Sequence, residues 1–151
     1  MFSLFCAILA VVCLLPKSTA ANFDNLVKGE EALVGCPQVT AIPNKSHRAY
    51  FFLGIISLTS QEKELEYKCY LEDFARTSLN NMFTDGDYTK KFVFDATKDY
   101  PDVEDFLLDA SAKITESMAA TGVQYAEIGC NFDYREGNKR AACVASTENL
   151  L

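Results

Sequence analysis

The chain has 151 residues, with 14 Lys and Arg against 21 Asp and Glu for a formal charge of −7, one histidine, six cysteines and no tryptophan. That sign argues against nucleic acid and anionic membranes as partners, because both need clustered Lys and Arg to displace counterions. The one dense basic group, Lys139-Arg140 with Arg135 nearby, reads as the solvated face of a hairpin.

Residues 4–15 form an unbroken apolar run, followed by Pro16 and the small-residue site Ser18-Thr19-Ala20. This is the layout of a cleavable secretory signal over residues 1–20, and the run is too short to cross a bilayer. Cleavage after Ala20 leaves residues 21–151 as one secreted domain without membrane insertion, and removal of Lys17 takes the charge to −8. A chain of this size buries about two thirds of its unfolded surface. Cys6 and Cys13 depart with the signal, leaving Cys36, Cys69, Cys130 and Cys143 in an oxidising compartment where pairing is expected.

An N-terminal arm over residues 22–43 contains Gly35-Cys36-Pro37. A first helix is expected over residues 46–57, although Phe51 to Ile56 also fits a short buried strand. In a second helix, Leu71, Phe74, Ala75, Ser78, Leu79 and Met82 share one face, with Thr59 and Glu62 as a capping box before it. Asn80-Asn81 and Asp85-Gly86-Asp87 end that helix, and Phe92-Val93-Phe94 is either a strand or an ordered loop. A third helix is expected from Pro101, with Asp102, Glu104 and Asp105 at its positive end and Val103, Phe106, Leu107, Ala110, Ile114, Ser117 and Met118 as its buried stripe. Gly122 is its natural stop. Ile128, Cys130, Phe132 and Tyr134 then alternate along a strand, Glu136-Gly137-Asn138 turns, and residues 139–146 return.

A two-residue turn at Glu136-Gly137 sets Cys130 opposite Cys143 at a non-hydrogen-bonded pair, where the backbones are close enough to bridge. A Gly137-Asn138 turn would move the register by two. Four cysteines allow three connectivities, and this geometry serves only as a tie-breaker, toward Cys130 with Cys143 and Cys36 tying the N-terminal arm to Cys69.

Several segments, taken together, resemble a known family. Ile128-Gly129-Cys130 with Ala142-Cys143-Val144 is similar to the paired hairpin strands of the CAP superfamily, also called SCP/TAPS. The segment from Leu65 to Ala75, with Cys69 and Leu71-Glu72, resembles a helix of that superfamily's nematode Ancylostoma-secreted-protein branch. Cys36-Pro37, with Arg48 and Phe52-Leu53 downstream, resembles the opening of the same branch. The resemblance implies an α+β fold, a compact α-β-α sandwich around a small antiparallel sheet that ends in a C-terminal β-hairpin and carries two disulfides. The Gly-Glu-Asn and His-Phe-Thr-Gln-like segments of the family are missing, and with His47 as the only histidine its two-His, two-Glu cation cleft cannot be built. The chain reads as a shortened, divergent relative.

No residue fits a catalytic role. A lone His47 offers neither a triad nor a zinc set and reads as solvated beside a helix start. Asp85-Gly86-Asp87 lacks the ligand series of a calcium loop, and Glu72 with Asp73, or Asp102 with Asp105, fall on polar helix faces. Asn44-Lys45-Ser46 is an N-glycosylation sequon. Tyr50, Phe51, Phe52, Phe74, Phe92, Phe94 and Phe106 read as core. The expectation is a secreted, non-enzymatic interaction protein without cofactor or metal, whose partner is an extracellular protein. By the resemblance it is released by a worm to act on host tissue or immunity. A carrier of lipid or another small apolar ligand is the alternative.

Overall fold

A computed structural model describes residues 35–36, 42, 44–60 and 64–148. The expected signal, most of the N-terminal arm, Pro37 and Glu62 lie outside the described residues.

Helix α1 spans Lys45–Leu58. Asn44 starts it by accepting a 2.9 Å bond from the Ser46 amide, and its buried face, Arg48, Phe51, Phe52 and Ile55, follows helical spacing. Cap and periodicity together exclude the strand alternative. Thr59 ends this helix, its N–H reaching the Ile55 carbonyl at 2.9 Å, so the capping box expected at Thr59 starts nothing. Strand β1, Glu66–Tyr67, comes next, and helix α2, Cys69–Leu79, begins without a side-chain cap. Its buried residues are Leu71, Glu72, Ala75 and Ser78. Phe74 on the expected stripe is 38 % exposed, and Met82 lies beyond the helix end and is exposed. Asn81, in the left-handed region at φ 57°, closes the turn after α2.

The Phe92 segment is strand β2, Thr89–Asp95. Helix α3, Val103–Ala119, starts two residues after Pro101 because the Asp102 side chain accepts the Asp105 amide at 2.9 Å and takes the cap position. Phe106, Leu107, Ala110, Ile114 and Met118 are buried as expected, joined by Ser111 and Thr115. Ser117 is exposed instead. Strands β3, Glu127–Arg135, and β4, Asn138–Ser146, form the hairpin. Arg135 pairs with Asn138 and Cys130 with Cys143, the register expected from a Glu136-Gly137 turn.

The sheet order is β1-β3-β4-β2. It is mixed, not antiparallel throughout, because β1 adds parallel to β3. Side-chain alternation sends Ile128, Cys130, Ala141, Cys143, Ala145 and Phe92 to the face covered by α1 and α3, where they meet Phe51, Phe52, Ile55, Phe106 and Leu107. Ala142 and Val144 point the other way, onto Leu71 and Ala75 of α2. The result is the expected α-β-α sandwich. Gly129 sets the spacing on the α2 face: a Cβ there would lie 2.1 Å from the Glu72 amide nitrogen, so only glycine lets α2 descend onto β3.

Candidate functional site

Two disulfides frame the sandwich. Cys130 and Cys143, with Cα atoms 4.0 Å apart, staple the central strands, and Cys36 and Cys69, at 5.3 Å, fasten the chain before α1 to the first turn of α2. These are the expected pairings. The hydrogen bonds Ala96 to Lys139 and Thr147 to Tyr88 put the alternate residues of β4 in bonding contact with β2. Cys130 and Cys143 therefore do face each other at a non-hydrogen-bonded position.

Beside the Cys36–Cys69 bridge, at the short β1 edge, a charged cluster joins the helices of opposite layers. Arg48 is 1 % exposed and Glu72 is 0 % exposed. Arg48 Nε donates to Glu72 Oε2 at 2.6 Å and Nη2 to Oε1 at 3.2 Å. Tyr67 donates its hydroxyl to Oε2 at 2.5 Å, and the Ile42 amide donates to Oε1 at 3.0 Å. Every oxygen of the carboxylate is thus held by at least two donors. Burial opposes the charge on Arg48, but the hydrogen bond and charge of Glu72 outweigh it and raise the guanidinium pKa. Burial, reinforced by the Glu72 charge, pushes the Tyr67 phenol well above its ordinary value. Glu72 is therefore not on a solvated face as its sequence position suggested. The missed signal is that Arg48 and Glu72 each sit on the buried stripe of their own helix, where a charge requires a partner.

A second carboxylate, Glu127, is also fully buried. The Tyr70 hydroxyl donates to it and Lys68 Nζ lies 3.9 Å from its Oε1. His47 is mostly buried rather than solvated: its ring meets Phe132 edge-on and its Nε2 lies 3.2 Å from Glu104 Oε1, linking α1 to α3. Asp85-Gly86-Asp87 lies in the loop before β2, in which Gly86 donates to the Thr89 carbonyl and Asp85 accepts the Lys91 amide. Among the described residues no three His, Cys, Asp or Glu side chains gather as metal ligands, and no helix is long and apolar enough to cross a membrane. Asn44 is exposed.

The aromatic core residues pack on one another, as in Phe52 with Tyr67 at 5.2 Å and Tyr100 with Phe106 at 5.5 Å between ring centres. Tyr50 and Phe74, each more than a third exposed, are corrections to the expected core.

A recess of about 520 Å³ lies where the β2–α3 loop meets α3, floored by Tyr100, Pro101, Leu108 and Ala112 and rimmed by Lys98, Asp99, Asp105 and Asp109. A smaller one, about 300 Å³, continues from Lys98 and Asp99 toward the hairpin turn at Gly137 and Asn138. Hydrogen bonds stiffen the walls. Tyr100 donates to Asp109 at 2.5 Å, Lys98 pairs with Asp109 at 3.1 Å, and the Tyr134 hydroxyl donates to the Tyr100 carbonyl at 3.0 Å. The Tyr100 hydrogen bond, then that from Lys98, lowers the Asp109 pKa, while burial, then Asp109, raises that of Tyr100. Lys139 and Arg140 are more than a solvated face, since Lys139 pairs with Asp99 at 2.9 Å and Arg140 pairs with Asp95 and donates to the Leu79 carbonyl at 2.7 Å. Leu108, at the recess, is 48 % exposed.

The family model described as Ancylostoma-associated secreted protein related matches residues 36–145. No curated protein and no solved structure matches the chain. The matched span runs from the first disulfide cysteine through the edge cluster and the recess almost to the end of β4. It bears out the resemblance carried by the cysteine segments, and the chain belongs to the Ancylostoma-associated secreted protein related family.

Proposed function

We propose that this is a secreted, non-enzymatic interaction protein that recognises an extracellular protein through the recess at the start of α3. The observation that carries this reading is a division of labour. The buried carboxylate of Glu72 is saturated by internal donors and that of Glu127 accepts from Tyr70, while the apolar floor to which Leu108 contributes stays open to solvent with Lys98, Asp99, Asp105 and Asp109 at its rim. Acid–base catalysis needs a carboxyl that is both desolvated and open to a substrate, and a saturated carboxylate between two helices supplies structure instead. Asp109 and Asp99 are paired with Lys98 and Lys139, so it is Asp105 beside the open apolar floor that suits a partner segment pairing an apolar side chain with Lys or Arg. The bonds Tyr100 to Asp109, Lys98 to Asp109 and Tyr134 to the Tyr100 carbonyl keep the recess from having to order itself on binding.

Release into an extracellular space fits the secreted character in the family's name, the two disulfides and the signal expected at residues 1–20. The genus in that name supports a nematode source, and the Asn44 sequon, exposed at the start of α1, is proposed to carry a glycan.

Biolayer interferometry of the secreted chain against a panel of extracellular host proteins tests the reading. Saturable binding that Leu108→Asp abolishes is the expected result. Absence of any saturable partner, or binding indifferent to Leu108→Asp, would overturn it.

A further inference from the structure

The two disulfides differ in what surrounds them. Cys130 and Cys143 are 1 % and 0 % exposed and belong to the core under α1 and α3, so a reagent reaches them only when that core opens. Cys36 and Cys69 are both partly exposed. The two sulfurs of this second bridge also differ from each other. Cys69 is the first residue of α2, where the positive end of the helix favours a thiolate. Cys36 Sγ lies 3.3 Å from Glu72 Oε2, and a neighbouring carboxylate favours the neutral thiol.

We propose that Cys36–Cys69 is a redox switch, opened by an external dithiol in the folded protein with Cys69 as the leaving sulfur. One thiolate of the dithiol attacks Cys36 Sγ. A mixed disulfide forms there as the Cys36–Cys69 bond breaks, and the electron pair departs with Cys69, the better leaving group. Arg48 balances the Glu72 charge at 2.6 Å, so the approaching thiolate is not repelled by a bare carboxylate. The second thiol of the dithiol then displaces Cys36, and the dithiol leaves as a cyclic disulfide. Cys36 takes up a proton and, as a thiol, donates to Glu72 Oε2. Once Cys69 is protonated, two electrons and two protons have passed to the protein. Reduction is local because the same junction is also held without sulfur. Arg48, Tyr67 and the Ile42 amide all keep Glu72, and Arg48 Nη2 keeps the Ile42 carbonyl at 3.3 Å. The chain ahead of Ile42 thus loses its covalent attachment to α2 while the sandwich stays assembled. Ile42, a few residues along, keeps Cys36 close enough to Cys69 for oxidation to restore the bridge. An oxidising extracellular space keeps the switch closed, and a dithiol oxidoreductase is the class of partner that opens it.

The test uses the secreted full chain in native buffer, treated with dithiothreitol, quenched with an alkylating reagent and read by peptide mass spectrometry. Cys36 and Cys69 should be alkylated at least about ten-fold faster than Cys130 and Cys143, which wait for the core to open. Circular dichroism should show the fold retained after the first pair has reacted, and removal of the reductant should restore the Cys36–Cys69 peptide. Glutathione, a monothiol that stops at the mixed disulfide, should be found on Cys36. The combined variant Cys36→Ser with Cys69→Ser should fold and show no fast alkylation. Equal rates for the two pairs, loss of the fold along with the first bond, or glutathione on Cys69 would each overturn the proposal.

Discussion

Arg48 and Glu72 make a two-point contact, at 2.6 and 3.2 Å, with neither side chain in touch with solvent. The pair connects α1 on one face of the sheet to α2 on the other, around the two-residue β1 edge, within reach of the Cys36–Cys69 bridge. The two layers are therefore joined by charge and by covalent bond at the edge where the sheet is narrowest.

Breaking this contact from one side should be worse than removing it. Arg48→Met or Glu72→Leu leaves a buried charge without its partner and should cost about 3–5 kcal/mol. The double replacement of Arg48→Met with Glu72→Leu should cost clearly less than the sum of the two. A denaturant double-mutant cycle measures the coupling, and additive single effects would contradict it.

Stability should fall on both sides of a broad plateau. The Asp109 carboxyl is held below its ordinary value of 3.8 by Tyr100 and Lys98, so its contribution is full above about pH 4 and disappears as the pH falls through the folded value. Tyr67 is raised above its ordinary 10.0 by burial and by Glu72, so its contribution is full below pH 10 and is lost as the pH climbs toward the folded value. Urea midpoints against pH should show Asp109→Asn flattening the acid limb and Tyr67→Phe the alkaline one, while lowering the plateau.

Two glycines of the hairpin should respond differently to alanine. Gly129→Ala drives a Cβ to 2.1 Å from backbone of α2 and should cost about 3 kcal/mol or more. Gly137→Ala meets open space, with only its φ of +71° to penalise it, and should cost about 1 kcal/mol. Thermal melts of the two variants distinguish a packing constraint from a conformational one.

Asn44 has two separable roles. Its side chain caps α1 through the backbone of Ser46, and the glycan proposed there needs the Ser46 hydroxyl as well. Asn44→Asp and Ser46→Ala should both lose the glycan mass and keep the cap. Asn44→Gln should lose the mass and about 1 kcal/mol of stability besides. Equal masses for wild type and all three variants would remove the glycan assignment.

How far these features were legible depended on whether local chemistry decided them. The hairpin register followed from one turn, because Glu136-Gly137 aligns Cys130 with Cys143 directly, and α3 followed from a long periodic stripe. The α2 boundary was missed because Thr59 and Glu62 imitate a helix start while Thr59 in fact ends α1. Strand β1 is too short to announce itself and exists only because β3 offers Glu127 and Ile128 to pair with. The edge cluster was illegible for a related reason: Glu72 looks like a solvated helix residue until Arg48, from another layer, is brought against it. The recess at Leu108 comes from the approach of the β2–α3 loop to α3, a tertiary relation with no pattern in the chain.

The covalent frame is the premise on which the sandwich and the edge cluster stand. Peptide mass spectrometry of the secreted, unreduced protein tests it most directly. The predicted result is one linked peptide pair containing Cys36 with Cys69 and another containing Cys130 with Cys143. A peptide joining Cys36 or Cys69 to Cys130 or Cys143 would contradict the account.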